Sequence, residues 1–153
     1  LLIKGQQFLR GYWNNPEESA KTQTADGWML TGDEVAVDEA GFATMVDRAK
    51  ELIITGGFNV SPTEVEIALR QHADVADAAA FGKPLARGGE MVVAAVQLEE
   101  GAALDEEALR EHCRELLAAY KVPKRILAID EMPRSMLGKI LRKQVKEGLV
   151  DSI

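Results

Sequence analysis

The sequence predicts an α+β fold, a small mixed β-sheet packed with helices and preceded by a short loop and a β-hairpin. Three observations point to it. From residue 51 the order of apolar and turn segments is hairpin, helix, strand, strand, helix, strand, which suits a sheet with helices laid on it. The tetrapeptide SPTE (61–64) marks a helix start by three separate signals. Residues 11–32, by contrast, are rich in Asn, Pro, Thr and Gly and read as irregular loop.

Taken in order, the loop region holds one short helical turn, around Pro16 to Lys21. EVAV (34–37) and FATMV (42–46) flank Asp38-Glu39-Ala40-Gly41 and form two strands about a glycine-containing turn. ELIIT (51–55) and Phe58-Asn59-Val60 repeat the arrangement across Gly56-Gly57, with the charged Asp47, Arg48 and Lys50 between the two hairpins. In SPTE, Ser61 is the N-cap, Pro62 takes the first helical position where a missing N–H costs nothing, and Glu64 closes a capping box. Val65, Ala68 and Leu69 give that helix its apolar face. VADAAAFG (75–82) and EMVVAAVQL (90–98) are the next strands, joined through KPLARGG. Residues 105–118 form a helix with Leu109, Cys113, Leu116 and Leu117 on one side, and 124–129 return as a strand.

Composition bounds what such a chain does. Its 153 residues, 46% hydrophobic and 28% charged, suffice for one ordinary core and a small appendage. No apolar run approaches the roughly 20 residues that span a bilayer, and the opening LLIKGQQFLR lacks the features of a secretory signal. The chain begins in mid-pattern without an initiator methionine and reads as a piece of something longer. Cys113 is its one cysteine, which makes a reducing, cytoplasmic setting the simpler expectation and leaves peripheral membrane association open. A net charge of -7 argues against sequence-independent nucleic-acid binding, although Arg134, Lys139, Arg142, Lys143 and Lys146 crowd the tail.

Individual residues have ordinary readings too. Cys113 falls on the buried side of its helix and reads as core filler. His72 and His112 have no ligand at metal-binding spacing and read as solvated helix residues. ARGGE (86–90) has nothing of a phosphate-wrapping loop and reads as a connection. The Gly56-Gly57 pair suits a tight hairpin turn. Lys139 reads on composition alone as a solvated lysine at a helix start, where the helix dipole disfavours a cation.

Together these segments resemble the adenylate-forming superfamily: acyl-CoA synthetases, the adenylation domains of peptide synthetases and luciferase-like enzymes. GYWNNPEES followed by DGWMLTGD resembles the closing part of the large N-terminal domain. DRAKELIITGGFNVSPTEVE resembles the interdomain hinge and the start of the small C-terminal domain, and PRSMLGKILR its catalytic-lysine loop. The likeness covers nearly the whole chain and runs nearest to a fatty-acid–CoA ligase. It implies that residues 1–49 end the large domain, that 50–153 form the small one, and that the hinge is Lys50.

The resemblance also implies roles. Asp33 would accept hydrogen bonds from the ribose hydroxyls of ATP or AMP, and Arg48 would hold the same ribose. Lys139 would stabilise charge while a carboxylic acid attacks the α-phosphate of ATP, with Mg2+ bound mainly by the large domain. The small domain would then turn about Lys50 and present Gly56, Gly57 and Phe58 to the pantetheine arm of coenzyme A. Ile54 stands where luciferase-like members carry a further lysine, which argues against oxidative chemistry. Ser135 replaces a commoner threonine, and bulky Met136 and Leu137 precede Gly138. This piece alone is expected to be inactive. An adenylation domain loading a carrier protein's phosphopantetheine would use the same residues, and a free-standing interaction module with a basic tail is the rival from another class.

Overall fold

The structure, a computed structural model, describes residues 1–149 and divides into two compact units, Leu1–Lys50 and a second that begins at Glu51. In the first unit β1 (Leu2–Ile3) pairs antiparallel with β2 (Met29–Leu30), a two-residue ladder too short to leave a periodic signal in the sequence. Between them lies α1 (Pro16–Lys21). The Asn15 side chain caps it by accepting from the Glu18 N–H at 3.1 Å, and Lys21 closes its last turn against Glu17 and Glu18. Strands β3 (Asp33–Val37) and β4 (Ala43–Arg48) form the antiparallel hairpin. Its turn is tied by Asp38, whose carboxylate accepts from the Phe42 N–H, and by Gly41 at φ 86°, a conformation that favours glycine.

The second unit opens with the hairpin β5 (Ile53–Thr55) and β6 (Phe58–Val60), then α2 (Pro62–Arg70). Ser61 Oγ accepts from the Glu64 N–H at 3.2 Å, the N-cap bond expected of SPTE. The Glu64 carboxylate, meanwhile, accepts from Lys121 through both oxygens, at 2.6 and 2.7 Å. The sheet follows: β7 (Val75–Pro84), β8 (Glu90–Leu98) and, after α3 (Glu106–Leu116), β9 (Arg125–Ala128). Central β8 runs antiparallel to β7 and parallel to β9, and α4 (Arg142–Leu149) ends the described chain.

Both faces of this sheet are covered, which explains why β7 and β8 read as continuous apolar runs and not as alternating ones. Ala78, Ala80, Val92, Ala94 and Val96 face a core completed by Val65 and Leu69 of α2 and Leu109 and Cys113 of α3. Their neighbours Ala79, Phe81, Val93 and Ala95 face a second cluster with Met132 and Val145. Leu69 and Ile126 are fully buried, and each contributes about 1.5–3 kcal/mol of transfer free energy.

Two expectations are corrected here. Leu116 does not join the buried side of α3, being 47% exposed. The helix stops there because Leu117 turns extended, its N–H still reaching the Cys113 carbonyl at 2.8 Å, and Leu117 packs on the core in place of Leu116. His72 and His112 are not freely solvated either. Both are half-buried, with rings edge to face at 5.2 Å, and His112 Nε2 lies 3.0 Å from the Ala68 carbonyl, which requires the proton on that nitrogen.

Candidate functional site

The β3–β4 register sets Asp33 directly opposite Arg48. Arg48 Nε lies 2.9 Å from Asp33 Oδ1, an ion-pair distance, yet off the hydrogen-bonding line, so Oδ1 is closed to solvent and keeps an unused acceptor. The Arg48 side chain is 62% exposed and also reaches the Thr31 carbonyl at 3.5 Å. A carboxylate beside an open guanidinium combines an acceptor with several donors, a set of groups that suits a hydroxyl-bearing ligand. Lys50 is exposed and is the last residue of the first unit.

Gly56 and Gly57 form the turn between β5 and β6 at φ 57° and 84°, and nothing lies within 4 Å of where either Cβ would stand. Backbone is therefore presented bare on that side. Phe58, half-exposed, stacks on Tyr120 with ring centroids 4.4 Å apart. The hairpin is held to the sheet by Glu90, whose carboxylate accepts from the Ile54 N–H at 2.9 Å. That carboxylate rests where a Cβ on residue 82 would be, so Gly82 is required for the contact.

Lys139 is not at a helix start. It closes a tight loop between Arg134 and Ile140, which bridge each other as antiparallel partners, and α4 begins only at Arg142. The Ser135 N–H donates to the Lys139 carbonyl at 2.8 Å, Ser135 Oγ accepts from the Lys139 N–H at 3.2 Å, and Gly138 turns the chain at φ 78°. Pro133 and Gly138 break the helical pattern, so the lysine is displayed by a loop and escapes the unfavourable helix dipole. Its side chain is exposed, and Met136 and Leu137 stand almost wholly in solvent beside it.

Two arginines flank this loop, and in the sequence neither stands out from the basic tail. Arg142 joins buried Glu66 of α2 through paired contacts of 2.6 and 2.7 Å, with Thr63 at 2.9 Å and Glu51 as further partners. Hydrogen bonding to Glu66 raises its pKa above an already high ordinary value, so it stays charged. Glu66 also accepts from the Ala80 N–H at 2.9 Å, locking α4, α2 and β7 together. On the other flank Arg134 pairs with buried Asp77. The available signal was a charge inside an apolar pattern: Glu66 beside Val65 and Leu69, and Asp77 within VADAAAFG.

Residues 64–139 match the model of the AMP-binding enzyme C-terminal domain. The chain belongs to the adenylate-forming superfamily. Its likeness to other members of that superfamily extends over nearly all of it. It is 45% identical over 146 residues to 2-succinylbenzoate–CoA ligase of Geobacillus kaustophilus, which covers 95% of this chain and 30% of that protein. To long-chain-fatty-acid–CoA ligase of Bacillus subtilis it is 44% identical, covering 96% and 26% respectively. Among solved structures, ATP-bound MatB from Rhodopseudomonas palustris superposes with a TM-score of 0.88 at 36% identity, covering 97% of this chain and 30% of that one. The chain thus spans under a third of the length of these adenylate-forming relatives.

Proposed function

We propose that this chain acts as the C-terminal part of a longer, AMP-forming carboxylic acid–CoA ligase, with fatty or related apolar acids as substrates. Residues 1–49 close its large domain, 50–153 are its small domain, and Lys50 is the pivot between them. In the first half-reaction the acid's carboxylate attacks the α-phosphate of ATP, giving acyl-adenylate and pyrophosphate. Asp33 accepts from the ribose hydroxyls, Arg48 donates to the same sugar, and the Lys139 ammonium stabilises charge as it shifts onto the phosphoryl oxygens and the leaving pyrophosphate. In the second half-reaction coenzyme A attacks the acyl carbonyl as its thiolate and AMP leaves. The pantetheine arm passes the bare backbone of Gly56 and Gly57, beside Phe58.

The observation that carries this reading is Lys139 displayed, exposed, by a loop braced at both ends. Magnesium would be held mainly by the large domain and by the phosphates of ATP. A cytoplasmic setting fits the reading, and among the described residues no helix is long and apolar enough to cross a membrane. Coenzyme A is favoured over a carrier protein as acceptor because the relatives named above are CoA ligases.

The test uses the full-length protein and a panel of apolar carboxylic acids. Acid-dependent ATP–pyrophosphate exchange, followed by CoA-dependent release of AMP and acyl-CoA, is the expected result. Production of ADP, or exchange without any acceptance of CoA, would overturn the assignment.

A further inference from the structure

We infer that Arg134 and Asp77 are a positioning pair for Lys139, an inference that rests on the catalytic reading of Lys139 above. Arg134 reaches two ways from one guanidinium. Its Nη1 donates to the Gly138 carbonyl at 2.7 Å, on the peptide that joins Gly138 to Lys139, and its Nη2 pairs with Asp77 Oδ2. The carboxylate end is fixed. The Asp77 side chain is 11% exposed, its Oδ1 accepts from the Ala78 N–H at 2.8 Å, and Arg70 stands 3.5 Å from the same oxygen.

Asp77 pairs in regular register from Gln97 onward and so lies on the same face of β7 as Ala79 and Phe81, the face that packs on Met132, just before the loop. A rigid fork with several donors spans carbonyl and carboxylate together, which a lysine at 134 could not do. The loop's own bonds, from Ser135 to Lys139 and from Gly138 to Ser135, hold its internal shape. Arg134 adds what they lack, an attachment of that shape to the buried sheet. The pair therefore sets where the Lys139 backbone stands before any substrate arrives, and misplacement of a reacting group by about 1 Å costs on the order of a hundredfold in rate.

The test is a double-mutant cycle in the full-length protein, reading the two half-reactions separately by single turnover. Arg134→Ala should lower the adenylation rate about ten- to a hundredfold. Thioester formation from preformed acyl-adenylate should stay within about twofold of wild type, and Arg134→Lys should recover little. Asp77→Asn, which keeps an acceptor for the Ala78 N–H, should show a smaller loss of the same kind. In a Lys139→Ala background both substitutions should cost almost nothing further, because a positioning residue has no effect once the group it positions is gone.

Equal losses with and without Lys139 would overturn the inference while leaving the ligase reading intact. Equal losses in both half-reactions would do the same, marking the pair as a general stabiliser. If Lys139→Ala alone spared adenylation, the catalytic reading itself would fall, and this inference with it.

Discussion

Replacing Gly82 by alanine tests how the glycine-turn hairpin is attached to the sheet. A Cβ at residue 82 would stand 2.5 and 2.6 Å from the two carboxylate oxygens of Glu90, too close for any real contact. The backbone at Gly82 is not left-handed, so alanine fits the strand conformation and the cost falls on Glu90. Its side chain must swing out and release the 2.9 Å bond from the Ile54 N–H, a charge-assisted bond worth about 1–2 kcal/mol net at a partly solvated site. Against this, alanine is favoured over glycine within a strand by roughly 0.5–1 kcal/mol. The net destabilisation is therefore about 0.5–1 kcal/mol. In a Glu90→Ala background only the favourable part remains, and Gly82→Ala should stabilise. The assay is urea unfolding of the four variants, with apparent KM for CoA measured in the full-length enzyme, where Gly82→Ala should raise it several-fold. Destabilisation of the same size with and without Glu90 would refute the reasoning.

Three further predictions follow from the geometry. Lys50→Pro, by fixing one backbone dihedral at the proposed pivot, should spare acyl-adenylate formation and block thioester formation; equal loss of both steps would indicate misfolding instead. Gly57→Leu adds a side chain to the bare turn at φ 84° and should cost about 1–2 kcal/mol in backbone strain while raising apparent KM for CoA, so unchanged CoA kinetics would remove the glycine pair from the thiol path. Burial pushes the Cys113 thiol up from 9.0 to about 11. Because the folded value lies above the unfolded one, its contribution to stability is intact below pH 9 and fades as pH rises toward 11. A thiol reagent at pH 8 should accordingly label Cys113 only after unfolding, and rapid labelling of the folded chain would contradict the burial.

What could be read in advance divides by distance along the chain. The start of α2 was legible because cap, proline and the residue three positions on are neighbours in sequence. The two-faced burial of β7 and β8 likewise shows in AAAFG (78–82) and MVVAAV (91–96), which hold no charged or polar side chain. The end of α3 was not legible, since Leu116 and Leu117 are equally apolar and only the backbone turn at Leu117 chooses between them. On composition alone the loop that displays Lys139 cannot be told from a helix start, because Gly138 and the basic residues after it look alike in either case; the bridge from Arg134 to Ile140 decides it. The arginine anchors are hidden in the sequence for a different reason. Arg142 with Glu66, and Arg134 with Asp77, lie 76 and 57 residues apart, and a pairing at that range leaves only one odd charge in each apolar pattern.

The central claim is that Lys139 serves adenylation and not thioester formation. The most direct measurement is single-turnover analysis of full-length Lys139→Ala beside Lys143→Ala, whose side chain is 86% exposed and lies 3.8 Å from Glu147. Lys139→Ala should lose on the order of 10²–10³ in the rate of acyl-adenylate formation, the cost of one preorganised charge-stabilising group. Supplied with preformed acyl-adenylate, it should still make acyl-CoA at close to the wild-type rate, while Lys143→Ala keeps both steps nearly intact. If the two variants behave alike, or if Lys139→Ala slows both steps equally, Lys139 is only part of a basic surface and the catalytic assignment is wrong.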